Sequence, residues 1–88
     1  MENAEKKETR VGFVGIIVED RRAVADRVNH TISEYAHMVI ARTGIPYREK
    51  NVSVITLVVD ATTDEIGSLT GKLGVIPGVS VKSGLSKK

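Results

Sequence analysis

Residues Val52 to Val59, VSVITLVV, are apolar on both parities, with Ile55, Leu57 and Val59 on one face and Val52, Val54 and Val58 on the other. A strand with one wet face alternates apolar with polar residues, whereas a strand covered on both faces reads as a continuous apolar run. The segment therefore predicts a central strand. Arg10 to Val18, RVGFVGIIV, has the same property, setting Val11, Phe13 and Ile17 against Val14, Ile16 and Val18, and predicts a second one. Its Gly12 and Gly15 mark a bulge or the close approach of another backbone or a ligand.

Between these strands, Val24, Val28, Ile32 and Tyr35 recur at helical spacing and predict an amphipathic helix from about Arg21 to Tyr35, with Asp20 as its N-terminal cap. Met38 to Thr43 reads as a third strand, followed by Gly44-Ile45-Pro46-Tyr47. Proline cannot donate to a ladder, so this strand belongs at an edge or a bulge. Asn51 suits the left-handed residue of a short hairpin leading into Val52. Thr62 and Glu65 have the spacing of a capping box and open a second helix with Ile66, Leu69 and Leu73 on its buried stripe. Gly67 and Gly71 inside that helix are expected to pack closely on the sheet, and Gly74 to end it in the left-handed conformation. Val79 to Leu85 alternates, with Val79, Val81 and Leu85 inward and Ser80 and Lys82 outward, as an edge strand does.

The order strand, helix, strand, strand, helix, strand predicts an α+β, ferredoxin-like βαββαβ fold: an antiparallel four-stranded sheet with two helices on one face. Right-handed crossovers place the first and third strands at the centre, where the two doubly apolar strands belong. Two helices cover one face only, so a second copy of the chain is expected to cover the other, over a surface including Val14, Ile16, Val54 and Val58. Residues 9–86 are read as one domain, with a disordered tail over 1–8 and a short tail over 87–88.

Composition narrows the function classes. The 88 residues contain no Cys, which excludes a disulfide scaffold, thiolate metal sites and thiol nucleophiles. No apolar run approaches the roughly 20 residues that span a bilayer, and the polar start MENAEKKETR does not resemble a secretory signal. A cytoplasmic protein without membrane attachment is expected. The net charge is +2, much of the basic character sits near the ends at Lys6, Lys7, Arg10, Lys82, Lys87 and Lys88, and Phe13, Tyr35 and Tyr47 are the only aromatic residues. Nucleic-acid binding proteins combine a basic stripe with stacking aromatics, so direct nucleic-acid binding is not expected. No phosphate-cradling glycine loop and no paired base and nucleophile occur in a motif, so no enzyme activity is expected. No cofactor is identified.

Three segments carry a family resemblance: Arg42 to Lys50 (RTGIPYREK), Asp60 to Gly67 (DATTDEIG) and Gly71 to Lys82 (GKLGVIPGVSVK). From about Arg10 to Lys87 the chain resembles small ACT-like proteins named as regulators of the iron-only hydrogenase system. The family is similar to the effector domain of nickel-responsive repressors, which binds metal through several His and one Cys; here only His30 and His37 are present. The resemblance implies a homo-oligomeric, non-catalytic regulator that binds a small effector at a subunit interface. Gly12, Gly15, Asp20, Gly44, Pro46 and Tyr47 are the expected ligand-binding or interface residues. Arg42, Arg48 and Lys50 form an alternative site for an anion, since guanidinium groups hold carboxylates and phosphates in bidentate fashion. A structural or adaptor protein with a protein partner is one alternative function. A metal sensor using His30 and His37 is another, although two histidines fall short of the three or four ligands a transition-metal site needs.

Overall fold

The computed structural model describes residues 8–87, so most of the expected N-terminal tail, and Lys88, lie outside the described residues. Strand β1 (Arg10–Glu19) leads into helix α1 (Arg22–Ser33), and a 3-10 turn over Ala36–Met38 enters β2 (Val39–Tyr47). A second 3-10 turn over Arg48–Lys50 joins β2 to β3 (Val52–Ala61), and helix α2 (Thr63–Gly74) precedes β4 (Val79–Leu85). All pairings are antiparallel and the strand order is β2-β3-β1-β4. The doubly apolar strands are therefore the central pair, as the sequence pattern requires.

The core forms between the sheet and the two helices. Val14, Ile16 and Val18 of β1 and Ile55, Leu57, Val59 and Ala61 of β3 are buried against Val24, Val28 and Ile32 of α1 and Ile66, Leu69 and Leu73 of α2. No polar or charged side chain is buried among the described residues. The opposite face of the sheet holds the other parity: Val11, Phe13 and Ile17 of β1, Val54 and Val58 of β3, and Ile45 and Tyr47 of β2, all exposed. The open face thus differs from the expected one at Val14 and Ile16, which lie wholly under the helices. The register explains the difference, because antiparallel pairing sets Val14 opposite Leu57 and Ile16 opposite Ile55. Even positions of β1 therefore share a face with odd positions of β3.

Local expectations divide in the same way. Thr62 caps α2 through a complete capping box: its hydroxyl accepts from the Glu65 N–H at 3.0 Å, and the Glu65 carboxylate accepts from the Thr62 N–H at 2.9 Å. Asn51 closes the β2–β3 hairpin with φ 55°. Asp20 does not cap α1. The cap position is Arg21, in extended conformation with no side-chain acceptor, so the Asp20 carboxylate stands one residue too early to reach the first-turn N–H groups. Gly67 and Gly71 do not pack on the sheet, since an added Cβ at either would meet nothing within 4 Å. Gly74 closes α2 as a helical residue, and the left-handed glycine is Gly78, with φ 88° in the turn before β4.

Candidate functional site

Three loops converge where β1 leaves the sheet. The Glu19 N–H donates to the Gly78 carbonyl at 2.9 Å, and the Asp20 N–H donates to the Asn51 carbonyl at 2.8 Å. The β1–α1 connection is thereby tied to the α2–β4 turn on one side and to the β2–β3 hairpin on the other. Asn51 can present its carbonyl there because a left-handed residue reverses the chain direction within one step. The Glu19 carboxylate also accepts from Arg21 Nε at 2.5 Å, which fixes the entry into α1.

Beside this junction lies a crevice of about 230 Å³, bordered by Val18, Glu19, Asp20, Ala25, Asn29, Arg42, Gly44, Ile45, Pro46, Ser53 and Ile55. Its origin is the uneven cover that two helices give to four strands. Helix α1 buries Val24, Val28 and Ile32 in the core and turns Ala25 and Asn29, one helical turn apart, toward the edge strand β2. On β2, Arg42, Gly44 and Pro46 pair with Leu57, Ile55 and Ser53 and so face the helix side. Gly44 leaves the middle of that row empty, since no atom lies within 4 Å of the place its Cβ would take. The floor beneath it is apolar, formed by Val18 and Ile55, both of them buried.

The polar groups of the crevice are opposed in charge. Arg42 donates through Nη2 to Asn29 Oδ1 at 2.5 Å and has no carboxylate partner among the described residues. Asp20 has no cationic partner among them either. A guanidinium steadied by an amide, a carboxylate, a serine hydroxyl and an apolar floor form a set that can hold a small polar molecule. Asn29 and Ser53 were not legible as site residues, because an exposed Asn on a helix and a Ser on a strand carry no local signal.

The expected site residues separate in space. Asp20, Gly44 and Pro46 line the crevice together with Arg42. Gly12 lies under β4: a Cβ there would come within contact of the Gly84 carbonyl and 3.0 Å from Leu85 Cα. The backbone that approaches closely at this glycine is thus the chain's own. Gly15 and Tyr47 belong to the open face of the sheet. Arg48 and Lys50 sit on the exposed turn after β2. Arg42 lies on β2 and is separated from both by the remaining strand to Tyr47, about 17 Å at the usual strand rise.

The two histidines are each placed beside one carboxylate. His30 Nε2 lies 3.8 Å from Glu34 one turn along α1, and His37 Nε2 lies 2.8 Å from Glu65 of α2. No group of three or more His, Asp or Glu positioned to hold a metal ion occurs among the described residues. Glu65 is held below the usual carboxylate range, first by the Thr62 N–H and then by His37. The Lys72 ammonium is held above its usual value by hydrogen bonding to Tyr35 and by the charge of Glu34, and it stands 5.4 Å from the Tyr35 ring centroid. Glu65 and Lys72 thus tie α2 to the segment that follows α1, at His37, Glu34 and Tyr35. No helix among the described residues is long and apolar enough to cross a membrane.

Residues 10–83 match the TM1266-like family, described as "Iron-only hydrogenase system regulator, putative". Among solved structures, the chain is similar to the uncharacterized protein TM1266 from Thermotoga maritima, at 40% identity and a TM-score of 0.88 over 91% of this chain and 100% of that one. It is also similar to the C-terminal domain of the MgtC protein from Mycobacterium tuberculosis, with a TM-score of 0.70 at 15% identity over 96% and 95% of the two chains. That second likeness is one of fold. No curated protein sequence matches the chain.

Proposed function

The chain belongs to the TM1266-like family, and on that premise we propose that it is a non-catalytic, cytoplasmic regulatory domain of an iron-only hydrogenase system. It works as a homo-oligomer and responds to a small polar effector held in the crevice between β1, α1 and β2. The observation that carries the effector site is the placing of Arg42 and Asp20 around one crevice with an apolar floor. Neither charge has an ion-pair partner among the described residues, so both remain available to a bound molecule. The exposed apolar residues of the open sheet face support the homo-oligomer.

A thermal-shift panel of amino acids, nucleotides and divalent metals tests this reading. A ligand that binds only the native state stabilises it by about 2.7 kcal/mol at a hundredfold excess over its dissociation constant. At least one small polar compound should raise the midpoint of the parent, and Arg42→Ala should abolish that shift while folding normally. A ligand that stabilises parent and variant equally places the site elsewhere. Silence across the panel, with a protein that co-purifies stoichiometrically, favours an adaptor over an effector-binding regulator.

A further inference from the structure

We propose that the open face of the sheet docks a second copy of this chain about a twofold axis, with Phe13 of each copy seated over Gly15 of the other. This rests on the homo-oligomer reading above and adds to it a surface and a register.

The strand pairings arrange the open face in cross-strand rows. Ala41, Val58, Phe13 and Gly84 form one row, Thr43, Thr56, Gly15 and Lys82 the next, and Ile45, Val54, Ile17 and Ser80 the third. The outer two rows are largely apolar, and the middle one, with two threonines and Lys82, drops only at Gly15. A pit of about 250 Å³ lies there, bordered by Ile17, Val54, Ser80 and Lys82. A Cβ at Gly15 would meet nothing nearer than the Lys82 carbonyl at 3.9 Å, so the absent side chain is not required by the packing of the chain itself. The adjoining row carries a matching protrusion in Phe13, which is half exposed. Its ring rests on Gly84, where an added Cβ would lie 2.8 Å from Phe13 Cε1, and is therefore supported before any partner arrives.

A second copy fits this relief because knob and pit lie two residues apart on one strand. A twofold axis passing between them, in the plane of the interface, brings each knob onto the other's pit in a single operation, as an isologous contact requires. Four strands at about 4.8 Å spacing and three rows about 6.8 Å apart give roughly 400 Å² per partner in projection. That is about half of the roughly 800 Å² per partner of a standard interface, and side-chain relief adds to it. Lys82, at the edge strand, is the only charged residue in the three rows. The face thus lacks the basic field that would recruit nucleic acid or an anionic membrane.

The test is sedimentation equilibrium and light scattering on the full chain across the micromolar range. The parent should associate into dimers or an even-numbered assembly. Gly15→Leu, which fills the pit, and Phe13→Ala, which removes the knob, should each weaken association by roughly tenfold or more with unchanged circular dichroism. The double variant should recover part of the loss, because a smaller knob then meets a filled pit. Thr56→Lys, which places a charge in the middle row without touching the core, should weaken association comparably and serves if either first variant misfolds. A parent that stays monomeric overturns both this proposal and the homo-oligomer reading. An oligomeric parent whose Gly15→Leu, Phe13→Ala and Thr56→Lys variants associate normally overturns the docking face alone. A double variant no better than either single one overturns the seating of Phe13 on Gly15.

Discussion

Gly12 and Gly15 lie three positions apart on one central strand, and their replacement by alanine should have opposite consequences. At Gly12 the new Cβ would stand within contact of the Gly84 carbonyl oxygen, 2.5 Å from Leu85 Cδ2 and 3.0 Å from Leu85 Cα. Two of these three atoms are backbone, so relief requires the end of β4 to move away from β1 and not a rotamer change. Overpacking of this kind costs about 1 to 3 kcal/mol. Loss of unfolded-state freedom on replacing glycine returns about 0.4 to 1 kcal/mol. With the rigid neighbour placing the cost at the upper end, Gly12→Ala should destabilise by about 2 kcal/mol. For a domain of this size that lowers the melting temperature by roughly 8 to 16 °C. At Gly15 the added methyl meets only the Lys82 carbonyl at 3.9 Å, so the gain from the unfolded state stands alone, and Gly15→Ala should be neutral or stabilising by up to about 1 kcal/mol. Urea unfolding at two protein concentrations separates these effects from any change in association. Amide exchange at Gly84 to Ser86 should accelerate in Gly12→Ala and not in Gly15→Ala. Equal stability of Gly12→Ala and parent, or equal losses in both variants, would refute the close approach of β4.

Three further outcomes are expected. Leu57→Ala empties a fully buried position at the centre of the sheet and should cost about 2 to 5 kcal/mol by chemical denaturation, whereas Val58→Ala on the open face should cost much less. Asn51→Val forces a β-branched residue into the left-handed region at φ 55° and should cost about 1 to 2 kcal/mol, while Asn51→Gly should leave the urea midpoint nearly unchanged. Glu65 has a native-state pKa below its ordinary 4.5, so the native state holds it ionised more firmly than the unfolded chain does. Its contribution is fully present above that ordinary value and is lost as pH falls through the lowered native value. The parent should therefore lose more stability on acidification below the ordinary carboxylate range than Glu65→Gln does, and parallel pH profiles for the two would contradict the assignment.

The order of elements, the identity of the central strands and most of the core were legible in the sequence because each depends on local period. Doubly apolar runs at Arg10–Val18 and Val52–Val59 marked the sheet centre, and Val24, Val28, Ile32, Ile66, Leu69 and Leu73 marked the helix faces that cover it. The capping box at Thr62 and the left-handed Asn51 were readable for the same reason: a side chain and its backbone partner lie within a few residues of each other. The sequence points to a cap one residue before the true one, because backbone hydrogen bonds to Asn51 and Gly78, remote in sequence, set where β1 ends. Gly67 and Gly71 face open space, and the way each position points follows from how α2 sits on the sheet.

Parity within one strand determines which residues share a face, but it does not say which face of one strand joins which face of the next. The antiparallel register decided that, placing Val14 with Leu57 and leaving Phe13, Ile17, Val54 and Val58 exposed. The crevice depended on the same kind of information. Asp20, Asn29 and Arg42 lie on three different elements, and what brings them together is the lateral position of α1 over the sheet. That position follows from the summed packing of the core, a property of the whole chain to which no short window of sequence has access.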